Sequence, residues 1–462
     1  MIFRPEQFAT NSLCGFPRGD DICQLLAAVI NSADAAASIK KLVSLSGNRL
    51  IVDHINYDLD LYQRIFVLAA GKAAVPMAAA VSEILVNRIT SAVVITKDGY
   101  VDPKLSILTP RLKIFEAGHP VPDRRCLDAS SNLVSSVHNP AHDDLVICLF
   151  SGGGSSLLLK PAAGLSLKDI QDTISLLLTC GATINEINTV RKHLDDLKGG
   201  QLAKLLFPAT VVTLLLSDVI GDQLDVIASG PTVADNSTFE HALEVLQKYH
   251  LLAQAPPAVL THLSNGIARK IPQTIMPGDP VLANVQSTLV GSNTQSASVA
   301  LHAAQALGFK ASLLTSPIHG EASHMGFELA ETAKSLFVSL AVGSQPACII
   351  AGGETTVTIK GTGLGGRNQE LALGAVISLS GIDQIMLVSL ATDGGDGPTD
   401  AAGAVVTNQT YSIGLAKNLN PLDFLERNDA YHYFEPLGDL IKTGPTLTNV
   451  NDLVFIFRVS PG

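Results

Sequence analysis

The chain has 462 residues, and 31 Lys and Arg against 42 Asp and Glu give it a formal net charge of −11. That balance speaks against a general nucleic-acid binder, which needs a basic face, but it allows a small anion held by a few cations and backbone amides. At 47% hydrophobic residues, the length predicts two or three domains with large buried cores.

The cysteines Cys14, Cys23, Cys126, Cys148, Cys180 and Cys348 form no CxxC pair, so neither a zinc ribbon nor a redox motif is expected. A reducing, cytoplasmic compartment fits that usage. MIFRPEQFAT lacks a basic segment followed by an apolar core, which predicts no signal peptide. No uninterrupted apolar run of about 18 residues occurs, so no transmembrane helix and no membrane partner are expected.

Residues 21–45 carry helical apolar spacing. RIFVLAA (64–70) is an apolar run followed by Gly71 and a helix-like AAVPMAAAVSEIL. SAVVIT (91–96), DLVICLF (144–150) and ATVVTLLLSDV (209–219) repeat the form. Short buried strands alternating with helices predict a parallel sheet. The proline-rich segment 253–282 reads as a connection between domains. STLVGSN (287–293) is taken to open a second series, continued by ASLLTS (311–316), PACIIAGGETTVTI (346–359), IMLVSLATDG (385–394) and NDLVFIFRV (451–459). The expected architecture is α/β with two domains, 1–265 and 283–462, each a mostly parallel sheet flanked by helices. The first is Rossmann-like, and ligands are expected in a cleft between the two, beyond the carboxyl ends of strands.

Residues suited to chemistry gather just after these strands. Ser151, Gly152, Gly153, Gly154 and Ser155 follow DLVICLF, where glycines admit a ligand close to the backbone and amides at a helix start cradle an anion. The spacing is neither GxxxxGK[ST] nor GxGxxG, and a tight structural turn is the alternative. Lys72 stands among alanines and glycines after the first strand, placed to neutralise a carboxylate or phosphoryl group, or else simply solvated. Gly365, Gly366, Arg367 and Asn368 end a second glycine loop at a helix start, and the arginine fork suits an oxyanion. Asp393, Asp396 and Asp400 follow IMLVSLA, in a pattern suited to Mg²⁺ or to an Asx-rich turn. Asp218, after VVTLLL, can hold a metal, take a hydroxyl proton or cap a helix. Asn188 and Arg191 share a helix face, with Lys192 beside them, either as ligands or as a solvated surface. His119, in EAGHPVPD, reads first as a structural histidine. No GxSxG or HExxH occurs, so the set fits phosphoryl transfer better than covalent hydrolysis or zinc chemistry.

Taken together, AAGKAA (69–74), AGHPVPD (117–123), FSGGGSSLL (150–158), INEINTVRKHL (184–194), SDVIGD (217–222), IASGPTVAD (227–235), AGGETTVTIKGTGLGGRNQELAL (351–373), ATDGGDGPTDAAGA (391–404) and KTGPTLTNVNDL (442–453) resemble the glycerate 2-kinase family, with its DUF4147 and MOFRL domains. The resemblance runs over nearly the whole chain. It implies ATP- and Mg²⁺-dependent phosphorylation of D-glycerate at the 2-hydroxyl, giving 2-phosphoglycerate and ADP. It also implies Lys72, Arg367 and Asp218 as active-site residues. Lys72 and Arg367 would neutralise the substrate carboxylate and the γ-phosphoryl charge, and Asp218 would orient the hydroxyl or hold Mg²⁺. The amides of Gly152–Ser155 would hold phosphate oxygens, and Asp393 and Asp396 would shape the metal side. The basic RRC within HPVPDRRCLDAS departs from the family pattern, without touching this set. Two rivals are a hydroxypyruvate reductase, disfavoured by the missing GxGxxG, and a kinase for a related small hydroxy acid. Monomer and homodimer stay open.

Overall fold

The computed structural model describes residues 2–101, 112–337 and 344–459. The chain forms two compact units, one of Ala35–Val290 and one of Met1–Asp34 together with Gly291–Gly462. Among the described residues no single helix is long and apolar enough to cross a membrane.

The unit Ala35–Val290 opens with a small antiparallel meander of β1 (Val43–Ser46), β2 (Arg49–Val52) and β3 (Ile55–Asp58). Its main sheet contains β4 (Arg64–Ala70), β5 (Ser91–Lys97), β6 (Leu112–Ala117), β7 (Asp144–Phe150), β8 (Thr210–Leu216) and β9 (Val285–Gly291). Their order is β6-β5-β4-β7-β8-β9, and the pairs from β6 to β8 are all parallel. The apolar runs read from the sequence are these strands, and β7 is buried at every position, as a sheet covered on both faces requires. Helices Ala74–Leu85 and Arg124–Ser136 pack on it. Strand order runs outward from β4 in one direction and from β7 in the other. The carboxyl ends of β4 and β7 therefore flank a reversal point, the Rossmann-like feature that opens a crevice there. STLVGSN does not open a second series: it falls in β9, at the edge of this first sheet.

The other unit carries β10 (Lys310–Leu313), β11 (Ala347–Gly353), β12 (Ile385–Ala391), β13 (Gly403–Thr407), β14 (Leu440–Ile441) and β15 (Asp452–Arg458), in the order β10-β11-β15-β12-β13-β14. This sheet is mixed rather than mostly parallel. β10 and β11 are parallel, but β15 runs antiparallel to both β11 and β12, and β13 and β14 continue antiparallel. The cause is the last strand, which inserts between two strands that would otherwise be parallel neighbours.

Both faces of the mixed sheet are buried. Ile349, Leu387, Val454 and Ile456 face a core with helices Ala322–Phe337 and Arg367–Leu379. The alternate positions Cys348, Ile350, Met386, Val388, Phe455 and Phe457 face a second core with helices Gly19–Ser32 and Asn293–Ala306. The compact units thus divide the chain differently from the expected limits. Residues 1–34 belong with the C-terminal unit, because Ile22, Leu25, Leu26, Val29 and Ile30 cover a sheet face that would otherwise expose phenylalanines.

Candidate active site

The expected site residues fall on both units. On the unit Ala35–Val290 they follow the carboxyl ends of adjacent strands. Ala70 and Phe150 are paired across β4 and β7, so Gly71-Lys72 and Ser151–Ser155 leave the sheet side by side. Lys72 donates its backbone N–H to Gly152 O at 2.8 Å, and Ala73 donates to Ser151 Oγ at 3.0 Å. Gly71 has a φ of +134°, and a Cβ there would lie 2.2 Å from Ser151 Oγ, so glycine is what lets the two loops touch. A Cβ on Gly153, whose φ is +83°, would lie 3.1 Å from the His119 ring and 3.4 Å from Lys72 Cγ. His119 and Lys72 thus both lie against the glycine loop. The Gly154 amide is spent on Ser151 O at 3.1 Å, so it is not among those open to a phosphate.

Ser229 Oγ lies 3.0 Å from both Ser155 Oγ and Asn188 Oδ1. Asn188 Oδ1 only accepts, so the Ser229 proton goes to Asn188 and Ser155 donates to Ser229. The sequence reading did not single out Ser229 as a site residue. It is fully buried with φ +60°, between Ala228 at +51° and Gly230 at +59°, a run of left-handed residues that stores strain beside the loop. Its sequence signal is the segment IASGPTVAD, with Ser-Gly directly before Pro231.

Arg191 and Ser155 line one narrow cavity. Among the described residues no side chain is hydrogen-bonded or ion-paired to the Arg191 guanidinium, and burial pulls its pKa down to about 10. Nearby, Lys198 is fully buried against Asp195 at 2.6 Å. Lys192, expected as a phosphate ligand, is engaged by two carboxylates. Its buried ammonium lies 2.9 Å from Asp225 and 3.2 Å from Asp235, so its charge is already neutralised. Asp218 is partly buried just past β8.

On the other unit, Arg367 is the first residue of helix Arg367–Leu379. Its Nε and Nη2 form a bidentate pair with Asp452, Nη2 to Oδ1 at 3.0 Å, and Nη1 reaches Glu354. Burial lowers the guanidinium's pKa, but Asp452 first, then Glu354 and Asp396, outweigh it and hold it above the ordinary arginine value. Asp452 begins β15, paired with Gly353 of β11 and Ala391 of β12. Sequence reasoning missed it; its signal is a lone carboxylate directly before the apolar run LVFIFRV.

Asp396, expected on the metal side, faces the start of helix Arg367–Leu379. It is 2% exposed, and its oxygens accept the backbone N–H of Asn368 at 3.0 Å and of Gln369 at 2.8 Å. It caps the helix from another loop. Asn368 is likewise spent inside, its Oδ1 accepting from Ser389 at 2.7 Å. A Cβ on Gly366 would lie 2.4 Å from Asp396 Oδ1, which explains the glycine. Gly365 sits in a loop held from 427–431: Asn428 Oδ1 accepts from Gly361, Asp429 accepts from Leu364, and Tyr431 donates its N–H to Leu364 O. Asp393 is partly buried and accepts from the Gly395 amide at 3.2 Å. Among the described residues no three His, Cys, Asp or Glu side chains gather as a metal site. Of the carboxylates expected on the metal side, Asp218 and Asp393 lie partly buried just past strands, whereas the Asp396 oxygens face backbone amides.

Comparison with known proteins bears on what these loops do. Residues 21–264 match a family described as a domain of unknown function, DUF4147, and residues 347–452 match the MOFRL family. A D-glycerate 2-kinase of Thermotoga maritima is 44% identical over 391 residues, 85% of this chain and 90% of its own. A putative hydroxypyruvate reductase of Agrobacterium vitis is 41% identical over 392 residues, 84% of this chain and 98% of its own. A crystal structure of a Thermotoga maritima glycerate kinase superposes with a TM-score of 0.78 at 39% identity, covering 94% of this chain and 98% of that one. With both domain families matched in order and the fold shared across nearly its whole length, the chain belongs to the glycerate 2-kinase family.

Proposed function

We propose that the protein transfers the γ-phosphoryl group of ATP to the 2-hydroxyl of D-glycerate. The observation that carries this reading is a cation beside each of two glycine loops, Lys72 just past β4 and Arg367 at a helix start, in a chain so similar to a D-glycerate 2-kinase. Phosphoryl transfer asks a protein for positioning and charge stabilisation more than for a covalent nucleophile. Lys72, Arg191 and the amides of Gly152, Gly153 and Ser155 bind oxyanions. Arg367 orients a carboxylate or phosphoryl group through its fork. Asp218 accepts or orients the hydroxyl proton. Mg²⁺, when bound, neutralises phosphate charge.

The reductase name carried by two of the relatives is the rival, and the absence of GxGxxG after β4 weighs against it. Purified protein with D-glycerate, ATP and Mg²⁺, resolved by phosphorus NMR, should yield 2-phosphoglycerate, and a parallel hydroxypyruvate sample should leave NADH untouched. NADH oxidation without ATP use would reverse the assignment, and 3-phosphoglycerate would move the site of transfer. Arg367→Lys keeps the charge but loses the fork, and turnover should fall at least about tenfold. Wild-type turnover in that variant would remove Arg367 from the site.

A further inference from the structure

A guanidinium offers five N–H groups. At Arg367 three are engaged, Nε and one of Nη2 by Asp452 and one of Nη1 by Glu354. The two carboxylates are held very differently. Asp452 has a side chain only 2% exposed, lies between β11 and β12, and its backbone carbonyl accepts Asn293 Nδ2 at 2.9 Å. Glu354 is the residue after β11, and its side chain is 42% exposed. Its backbone N–H is tied to Ile318 at 3.1 Å, so turning its side chain outward disturbs no strand pairing.

One guanidinium faces two carboxylates, with Asp396 close enough to act on it as well. An oxyanion approaching Arg367 meets the negative charge of Glu354 at short range. With Glu354 turned away, Asp452 still fixes the plane of the fork. One N–H of Nη1 and one of Nη2 then share the end of the fork, enough for a two-point contact.

We propose that Glu354 occupies the seat of the reacting oxyanion on Arg367 and is displaced when that anion binds, so that this side chain sets the affinity of the site. The inference rests on reading Arg367 as an anion-binding residue of a glycerate kinase. The chemistry recognised is an oxygen pair of a carboxylate or a phosphoryl group, supplied by the hydroxy acid or by the nucleotide.

Calorimetric titrations test it. D-glycerate and ATP are titrated separately into wild type, Glu354→Gln and Glu354→Ala. One of the two ligands should bind about two- to fivefold tighter to both variants, the span expected for losing a half-exposed ion pair, and that ligand is the one seated on Arg367. Unchanged or weaker binding of both ligands overturns the proposal and makes Glu354 a structural partner or a group the reaction needs. A wild type that forms no phosphoglycerate overturns the kinase reading and the inference with it. An active wild type whose variants bind no tighter overturns the inference alone.

Discussion

A carboxylate shut away from water is held neutral more readily than one on the surface, and Asp396 is such a group. Burial raises its pKa from 3.8 to about 6, with the amides of Asn368 and Gln369 pulling the other way. The folded state therefore binds this proton more tightly than the unfolded chain. The stability it contributes is full below pH 4 and is lost as pH rises through about 6, a change of about 3 kcal/mol. Denaturation midpoints of wild type and Asp396→Asn at pH 4 and pH 7 should differ in their pH response by about that amount; parallel responses would refute it. Residues of this kind also mark what a sequence does not disclose. Lys72 stands out in the sequence because a lone cation after an apolar run and a glycine has few structural uses, and Arg367 because it ends a glycine loop at a helix start. Asp452 does not, since its role is to grip a side chain 85 positions away. Asp396 reads as a metal ligand until the helix whose amides it accepts is seen beside it.

At the scale of elements, the apolar runs announce the strands, and their alternation with helices announces the first sheet. The order in the second sheet is not legible, because nothing in NDLVFIFRV says that this strand inserts between β11 and β12 and turns a parallel pair into a mixed sheet. The glycine loops are legible as loops, but their reason lies in close approach. Gly71→Ala puts a methyl 2.2 Å from Ser151 Oγ at a φ of +134°. The substitution should cost about 1–3 kcal/mol in denaturant and lower turnover together, by prising β4 and β7 apart where Lys72 leaves the sheet. Full stability with full activity in that variant would mean that the two loops need not touch.

For the whole molecule, the boundary matters more than the count of domains. A proline-rich stretch suggested a cut near residue 280, yet the units divide at residues 34 and 290, so the middle unit is inserted into the other. Burial of Ile22, Leu25, Leu26, Val29 and Ile30 is worth about 7–15 kcal/mol as an upper estimate. A fragment of residues 35–290 should therefore melt cooperatively on its own, while a fragment of 283–462 should not fold. A folded 283–462 fragment would show that the N-terminal helix is dispensable. The same connectivity has a consequence in time. During synthesis helix Gly19–Ser32 appears early, but the strands it packs on arrive only at the end, with β15 last. At about 5–20 residues per second that interval is roughly 20–85 s, long enough for the middle unit to fold first. Until helix Asn293–Ala306 and those strands emerge, the apolar stripe lacks most of the partners that bury it in the finished fold, which makes that helix the segment most in need of shelter on the ribosome.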